Sequence, residues 1–462
     1  MSQVPDDELI AKFVSSAPVN FSKNAVFVKG ENAFYLWEED VYRHVPDHEV
    51  MQIIWDYLKQ AKAADTLYRG FNICQKRVEG LLFGLRLDHK NVNDTSLTQF
   101  VSFADGKILN LNDFSLTEAT PEVPSFFKLN VSSGVIQEKP ACPRFQRFLE
   151  EVLVQEDGKT PDTELAAFVQ EIFGYCLTGS IAAHATFFFF GSGRNGKSVL
   201  LDVLRSLIGE RYIANMTIQT LTTRQFSASN LIGKKINIAS EEESKHIQSD
   251  LFKSLVAGDP VTVEKKYRDP FELRPSVKFL FATNQIPIFD STDPAIRDRV
   301  LIIPFSRYFT EDERDRELKT KLQEELGGIF AWALEGAKRI IDRKYKFIVP
   351  VSVRAMGEKF EKEQSSVLTF VNENYTVTGD EQYVVKSVMY ERYKAWCDTN
   401  KRPPKMSENF FKDLNNVYRG KVTSDARRSL GGKETRVVLG VCETRDESAF
   451  IHAGRPPQES PF

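Results

Sequence analysis

Short apolar runs and longer amphipathic stretches alternate along this chain, and their periods divide it into regimes. In the first 130 residues, apolar runs at 25–29 and 33–37 predict strands beside a helical pattern at 50–62. Residues 110–113 and the proline-containing stretch 120–125 predict turn and linker. From Pro143 the spacing becomes helical: Phe145, Phe148, Leu149 and Val152 share one face, and 165–177 continues the pattern. Four strand-length apolar runs follow at 186–190, 235–239, 277–282 and 300–303, separated by helical sequence. That alternation predicts a mostly parallel α/β sheet. Helix-like sequence comes next at 311–325 and 329–343, ended by Val349-Pro350. The last regime has helical patterns at 385–398 and 408–416, then a glycine-punctuated, strand-rich stretch at 420–441. Helix, helix and a two-stranded turn are the outline of a winged helix. The expected organisation is an N-terminal α+β domain (1–130) whose role the sequence leaves open, a helical lead-in (131–185), an α/β domain (186–350), the winged-helix module (365–445) and a flexible polar tail (446–462).

Length and composition fit that division. The chain has 462 residues, and about 100–200 residues per domain implies several cores. A hydrophobic share of 42% against 27% charged excludes a disordered chain. With 61 Lys and Arg against 64 Asp and Glu, the net charge of −3 excludes an overall basic coat but not local basic patches. No apolar run approaches the roughly 20 residues of a membrane span. No basic region followed by an apolar stretch marks a secretory signal at the N-terminus. Five cysteines (74, 142, 176, 397 and 442) form no CxxC pair, so neither a disulfide framework nor a structural zinc site is expected, and the expected setting is cytoplasmic.

The densest chemistry sits at 191–198, where Gly191-Ser192-Gly193-Arg194-Asn195-Gly196-Lys197-Ser198 is a complete GxxxxGKS motif. An apolar strand runs into it and a helical pattern leaves it. Glycines let backbone N–H groups close around phosphates, Lys197 can reach the β and γ phosphates, and Ser198 can ligate Mg²⁺. This reading makes Gly191, Gly193, Arg194, Asn195, Gly196, Lys197 and Ser198 the nucleotide-binding residues, for ATP or GTP. Kinases, GTPases and motors share such a loop, so its companions must narrow the function.

Three companions follow. The strand expected at 235–239 runs into Glu241-Glu242-Glu243. Acidic residues at a strand's C-terminal end can hold the metal shell and polarise the attacking water. Glu241 is assigned to the metal and Glu242 to the water, with the two roles interchangeable. Asn284 ends the next apolar strand, where an amide can hydrogen-bond the γ-phosphate or the water. Arg297 and Arg299 precede the last strand, where an arginine can stabilise transition-state charge in a neighbouring subunit's site. Between them, residues 261–273 combine β-branched Val261, Thr262 and Val263 with Lys265, Lys266 and Arg268 around Tyr267. Cations beside an aromatic suit phosphate contact and base stacking on single strands.

In this order, Asn195-Gly196-Lys197-Ser198, the Glu pair, Ala257-Gly258-Asp259-Pro260 with Lys265 to Phe271, Phe281-Ala282-Thr283-Asn284 and Arg299 before Ile303-Pro304-Phe305 resemble the superfamily 3 helicases. The similarity is greatest to the phage, plasmid and poxvirus primase-helicase branch. It is densest from 141 to 310 and extends through Cys142-Pro143-Arg144-Phe145 upstream and 388–397 downstream, where a winged-helix module often closes such proteins. The resemblance implies an AAA+ type P-loop ATPase using ATP and Mg²⁺, assembled as a homo-hexameric ring that draws single-stranded DNA through its pore, 3′ to 5′. It implies Lys197, Glu241, Glu242, Asn284 and Arg299 as catalytic residues, Ser198 and Glu241 at the metal, and Lys265, Lys266 and Arg268 on DNA. Ala239-Ser240 loosens the family's hydrophobic run before the Glu pair. Asp298-Arg299 stands where many relatives have adjacent arginines, which keeps Arg297 open as the finger.

From Gln382 to Val438, seven Lys and six Arg face six acidic residues, a local excess that suits nucleic-acid contact. A winged helix would present 407–416 to duplex DNA, with Arg427, Arg428, Lys433 and Arg436 in or near the wing. No polymerase-type Asp-x-Asp site is evident near the amino end, so a primase or polymerase is expected on a separate chain. The expected function is a replicative DNA helicase of a phage, plasmid or other mobile element, acting on single-stranded DNA and forked or origin duplexes in the host cytoplasm. The alternatives are an ATP-switched origin-binding or primase-loading protein without intrinsic unwinding, and a small-molecule phosphotransferase.

Overall fold

Continuous apolar runs, rather than alternating ones, mark strands buried on both faces, and Thr186–Phe190 is such a run. In a computed structural model of the chain it forms β1 of a five-stranded sheet. The others are β2 (Ile213–Ala214), β3 (Ile236–Glu241), β4 (Lys278–Thr283) and β5 (Val300–Pro304), in the order β5-β1-β4-β3-β2 with every pairing parallel. The structure describes residues 6–16, 24–64, 72–88, 91–92, 100–223, 227–241, 246–247, 249–264, 270–285, 288–289, 294–379, 381–400, 402 and 404–444. It divides into two compact units, Met1–Gly357 and Glu358–Phe462.

In the first unit, Phe187, Phe188 and Phe189 of β1 are all fully buried, and Phe188 stacks on Phe281 of β4 with ring centroids 5.2 Å apart. Flanking helices include α1 (Thr163–Leu177), α2 (Lys197–Ile208) and α3 (Leu326–Asp342). Asp162 caps α1, its carboxylate accepting from the Leu165 amide at 2.9 Å. One strand is unforeseen and one expected helix is shortened, each for a local reason. The edge strand β2 has only two residues and no readable period; the buried Asn237 amide fixes it by bonding both the N–H and the carbonyl of Met216 at 2.9 Å. The helix expected over 311–325 is confined to Leu318–Gln323. Upstream, Glu313 accepts from the Thr310 amide at 2.8 Å and Asp315 from the Glu317 amide at 2.9 Å. These side-chain bonds give the backbone an alternative to the helical ladder.

Helices α1 and α3 cross at two glycines. A Cβ on Gly336 would lie 2.1 Å from the Gln170 carbonyl oxygen, and one on Gly174 would lie 2.1 Å from the Ala337 nitrogen. Beside the crossing, buried Glu171 pairs with Arg339 at 3.2 Å and with Arg343. Alanine at Gly336 would gain up to about 1 kcal/mol of helix propensity. The clash is with backbone, which cannot rotate away, and overpacking costs about 1–3 kcal/mol. Gly336→Ala is therefore expected to lower stability by about 1 kcal/mol, read as a lower denaturation midpoint; an unchanged midpoint would disprove the close crossing.

Upstream, a four-stranded sheet runs in the order Val41–Val45, Ala33–Glu38, Ala25–Val28, Asn91–Val92. Helices Asp6–Ser16, Asp47–Ala64 and Gln75–Asp88 pack on it around Phe27, Phe34, Ile54 and Leu81. The strands Phe100–Ser102, Lys107–Asn110 and Leu116–Glu118 form a small sheet whose Val101 and Leu109 enter the same core as Phe187 and Leu204.

In the second unit, helices Ser366–Asn374, Lys386–Thr399 and Ser407–Val417 surround Phe370, Tyr393 and Phe410, the last two rings 4.3 Å apart. Strand Lys433–Leu439 lies between Tyr383–Val385 and Thr423–Leu430, antiparallel to both. Among the described residues of the whole chain, no helix is long and apolar enough to cross a membrane.

Candidate nucleotide-binding site

The GxxxxGKS segment joins the C-terminal end of β1 directly to α2, whose N-terminal residue is Lys197. Its end glycines are required by close approach. A Cβ on Gly191 would stand 2.6 Å from the Phe305 carbonyl oxygen, and one on Gly196, which has φ +86°, would stand 2.5 Å from Val152 Cγ1. The loop is also tied to the chain after β5: the Phe309 amide donates to the Arg194 carbonyl at 2.8 Å.

Lys197 is buried, with 5% of its surface exposed. Its ammonium donates to the Gly191 carbonyl at 2.7 Å, to Asn195 Oδ1 at 3.0 Å and to Asn284 Oδ1 at 3.3 Å. All three acceptors are neutral, and no carboxylate among the described residues pairs with it. Burial therefore pulls its pKa down to about 8. A buried cation without a counter-ion at a helix N-terminus is a fitting partner for a phosphate chain. Ser198 is exposed beside it, and its hydroxyl makes no hydrogen bond within the described residues, leaving it free to ligate a metal. Both residues line a cavity of about 1360 Å³ together with Asn284, Ser240, Arg147 and Arg314.

Strand register aligns the companions. Glu241 of β3 pairs with Thr283 of β4, which in turn pairs with Phe190 at the end of β1. The Glu241 backbone thus stands level with the start of the phosphate loop, two strands away, about 10 Å at the usual strand spacing. The side chain of Glu241 and all of Glu242 lie outside the described residues. Asn284 follows β4 directly, at a bend where Thr283 Oγ1 accepts from the Gln285 amide at 3.1 Å. The sequence-expected group of Lys197, Ser198 and Asn284 is thus brought together.

Arg299 is not part of that group. It precedes β5, where its carbonyl accepts from the Thr186 amide at 2.7 Å, at the N-terminal edge of the sheet. Its guanidinium donates to the Ala295 carbonyl at 2.7 Å, while Nε is buried with no hydrogen-bond partner among the described residues. Arg297 is exposed, 3.4 Å from Asp298. Val261–Val263 and Phe271–Leu273 pair as an antiparallel hairpin. Its tip, with Lys265, Lys266 and Arg268, lies outside the described residues.

Sequence reasoning missed arginines of the cavity wall, among them Arg147 on helix Pro143–Val152 and Arg314 after β5. Both are exposed and make no ion pair among the described residues. In the sequence they look like any solvated arginine; only the tertiary fold sets them opposite the phosphate loop.

A family model described as "Family of unknown function (DUF5906)" matches residues 189–299. Among curated proteins, the chain is similar to "Putative helicase L207/L206" of Acanthamoeba polyphaga mimivirus, with 26% identity over 267 residues, covering 52% of this chain and 27% of that protein. It is similar also to "Primase D5" of Fowlpox virus (strain NVSL), with 28% identity over 158 residues, covering 31% of this chain and 19% of that protein. The chain thus spans less than a third of the length of these relatives. Among solved structures, the apo NrS-1 C terminal region (305-718) aligns with a TM-score of 0.49 and 13% identity, over 90% of this chain and 95% of that one. The chain is thus related, over part of its length, to viral proteins named as helicases and as a primase.

Proposed function

We propose that this chain is an ATP-driven DNA helicase subunit of the superfamily 3 type, an AAA+ ATPase working as a homo-hexameric ring on single-stranded DNA during replication of a virus, phage, plasmid or other mobile element in its host's cytoplasm. The observation that carries the ATPase part is Lys197, a buried ammonium at the head of α2 whose acceptors among the described residues are all neutral. In this reading the amides of 191–198 and Lys197 bind the triphosphate. Ser198 and Glu241 hold Mg²⁺, which supplies charge neutralisation at the β and γ phosphates when bound. Glu242 orients and deprotonates the attacking water. Asn284, already bonded to Lys197, detects the γ-phosphate, and Arg299 serves the neighbour's site. The second unit, with two helices leading into a hairpin, supports the winged-helix reading; a primase or polymerase would be a separate chain.

Lys265 and Lys266, at the tip of the hairpin built on Val261–Val263 and Phe271–Leu273, are assigned to the DNA strand in the pore. Lys265→Ala with Lys266→Ala is expected to cut strand displacement at least about tenfold while DNA-free ATP hydrolysis stays within about twofold of wild type. Displacement equal to wild type would remove these lysines from the pore.

The function is tested by measuring ATP hydrolysis with and without single-stranded DNA, alongside displacement of a 3′-tailed duplex. DNA-stimulated turnover with displacement is expected. Turnover without displacement would favour the origin-binding or primase-loading protein. Indifference to DNA together with a phosphorylated small acceptor would favour the phosphotransferase.

A further inference from the structure

The second unit offers two elements to a nucleic acid, and their charges differ in sign. Helix Ser407–Val417 carries one cation, Lys412, against Glu408 and Asp413. Asp413 is bound by Lys405 at 2.5 Å, and the Asn415 side chain is occupied by Ser424. From Arg419 to Arg436, by contrast, six cations stand against two carboxylates. This segment holds the hairpin Thr423–Leu430 and Lys433–Leu439.

Register gives the hairpin a second peculiarity. Arg427 pairs directly across from Arg436, so both side chains leave the same face, and both are exposed. Like charges directly opposite destabilise an antiparallel pair. Glu434 reaches Arg427 at 3.2 Å, an exposed and weakly held pair, while Asp425 is taken up by Lys386 at 2.9 Å. Arg436 and Lys433 make no ion pair among the described residues. The tip is slender: Gly431 (φ +57°) and Gly432 (φ +80°) form the turn, and a Cβ on either would meet nothing within 4 Å. Such a turn, flanked by Lys433 and the two arginines, can enter a groove while the cations meet the phosphates on either side.

We propose that this unit grips duplex DNA through the hairpin, with Arg427, Lys433 and Arg436 on the phosphate backbone, and not through helix Ser407–Val417. Two features favour a duplex over other partners. Residues 419–436 contain no aromatic side chain, so the hairpin lacks the stacking platform that single strands require. Residues 419–436 also expose no large apolar side chain that could serve as the anchor that dominates protein interfaces. The inference rests on the nucleic-acid side of the proposed function but not on its motor, since duplex binding is measured without nucleotide or unwinding.

The test uses the full chain and a blunt-ended duplex, with affinity measured between about 50 and 200 mM salt. Each backbone contact contributes about 0.9 to the slope of log affinity against log salt. Arg427→Ala, Lys433→Ala and Arg436→Ala together are expected to flatten that slope by about 2.7 and to weaken binding at least about tenfold at low salt. Lys412→Ala on the helix is expected to change neither. Unchanged thermal unfolding of both variants checks the fold, and the double variant Arg427→Lys with Arg436→Lys, which keeps Lys433, is expected to keep most of the slope. Wild-type affinity and slope in the triple alanine variant would overturn the proposal. An equal loss on Lys412→Ala would overturn it too. So would a wild-type chain that binds polyglutamate as tightly as the duplex, since the hairpin would then be a site for an acidic protein. A wild-type chain that displaces no strand, yet shows the salt-dependent duplex binding that the triple alanine variant loses, would count against the motor and leave the hairpin assignment standing.

Discussion

Replacing Lys197 by alanine is expected to abolish ATP turnover, a loss of at least about a thousandfold, while the protein stays folded. The fold survives because the ammonium is a burden on it: among the described residues it is buried against neutral acceptors alone, and its removal leaves no unpaired carboxylate there. The same residue gives the site a pH signature. Burial holds the pKa of Lys197 at about 8, so in the free protein the charged form disappears as pH rises through that value. A bound triphosphate favours the ammonium and raises its pKa. Above pH 8, binding must therefore take up a proton, and nucleotide affinity should fall by up to about tenfold per pH unit until the bound-state pKa is passed. Calorimetry at pH 9 in buffers of different ionisation enthalpy counts that proton. Lys197→Ala should lack this uptake, and a wild-type chain that takes up none would show that its lysine does not meet the phosphates.

The parts of this site that could be read from sequence are those whose physics is local. β1 and β4 are legible because both faces are buried and their apolar runs are unbroken, and the loop between β1 and α2 is legible because close backbone approach at Gly191 and Gly196 excludes other residues. Asn284 is legible only as the polar end of an apolar strand; its bond to Lys197 depends on β1 and β4 being neighbours, a long-range pairing. The two residues of β2 and the turns before Leu318–Gln323 escape because an Asn amide in one case, and Glu and Asp carboxylates in the other, set the backbone. Arg147 and Arg314 escape because their approach to the loop is wholly tertiary. A charge count likewise assigns the second unit an excess of cations, and the outline of a winged helix puts four of them in or near the wing, without saying which of them face each other. The register of Arg427 against Arg436 supplies that.

The arginine before β5 carries the largest consequence for assembly. β5 runs parallel to β1 with Val300 opposite Thr186 and Pro304 opposite Phe190, so Arg299 and the phosphate loop lie at opposite ends of the sheet. Five residues at about 3.3 Å each set them roughly 16 Å apart, too far for Arg299 to reach the nucleotide of its own subunit. If it acts in hydrolysis, it acts on a neighbour. Arg299→Ala is then expected to lower turnover by about 10³-fold or more, the usual worth of such an arginine. Lys197→Ala, inactive for a different reason, keeps Arg299. Randomly mixed rings of the two variants place an intact loop beside an intact arginine at about one interface in four, so mixing two inactive preparations should restore about a quarter of the wild-type sites. A merely structural arginine, held by the Ala295 carbonyl, would give no such recovery. Substantial turnover by Arg299→Ala alone would pass the role to Arg297, and the same mixing experiment with Arg297→Ala would then decide it.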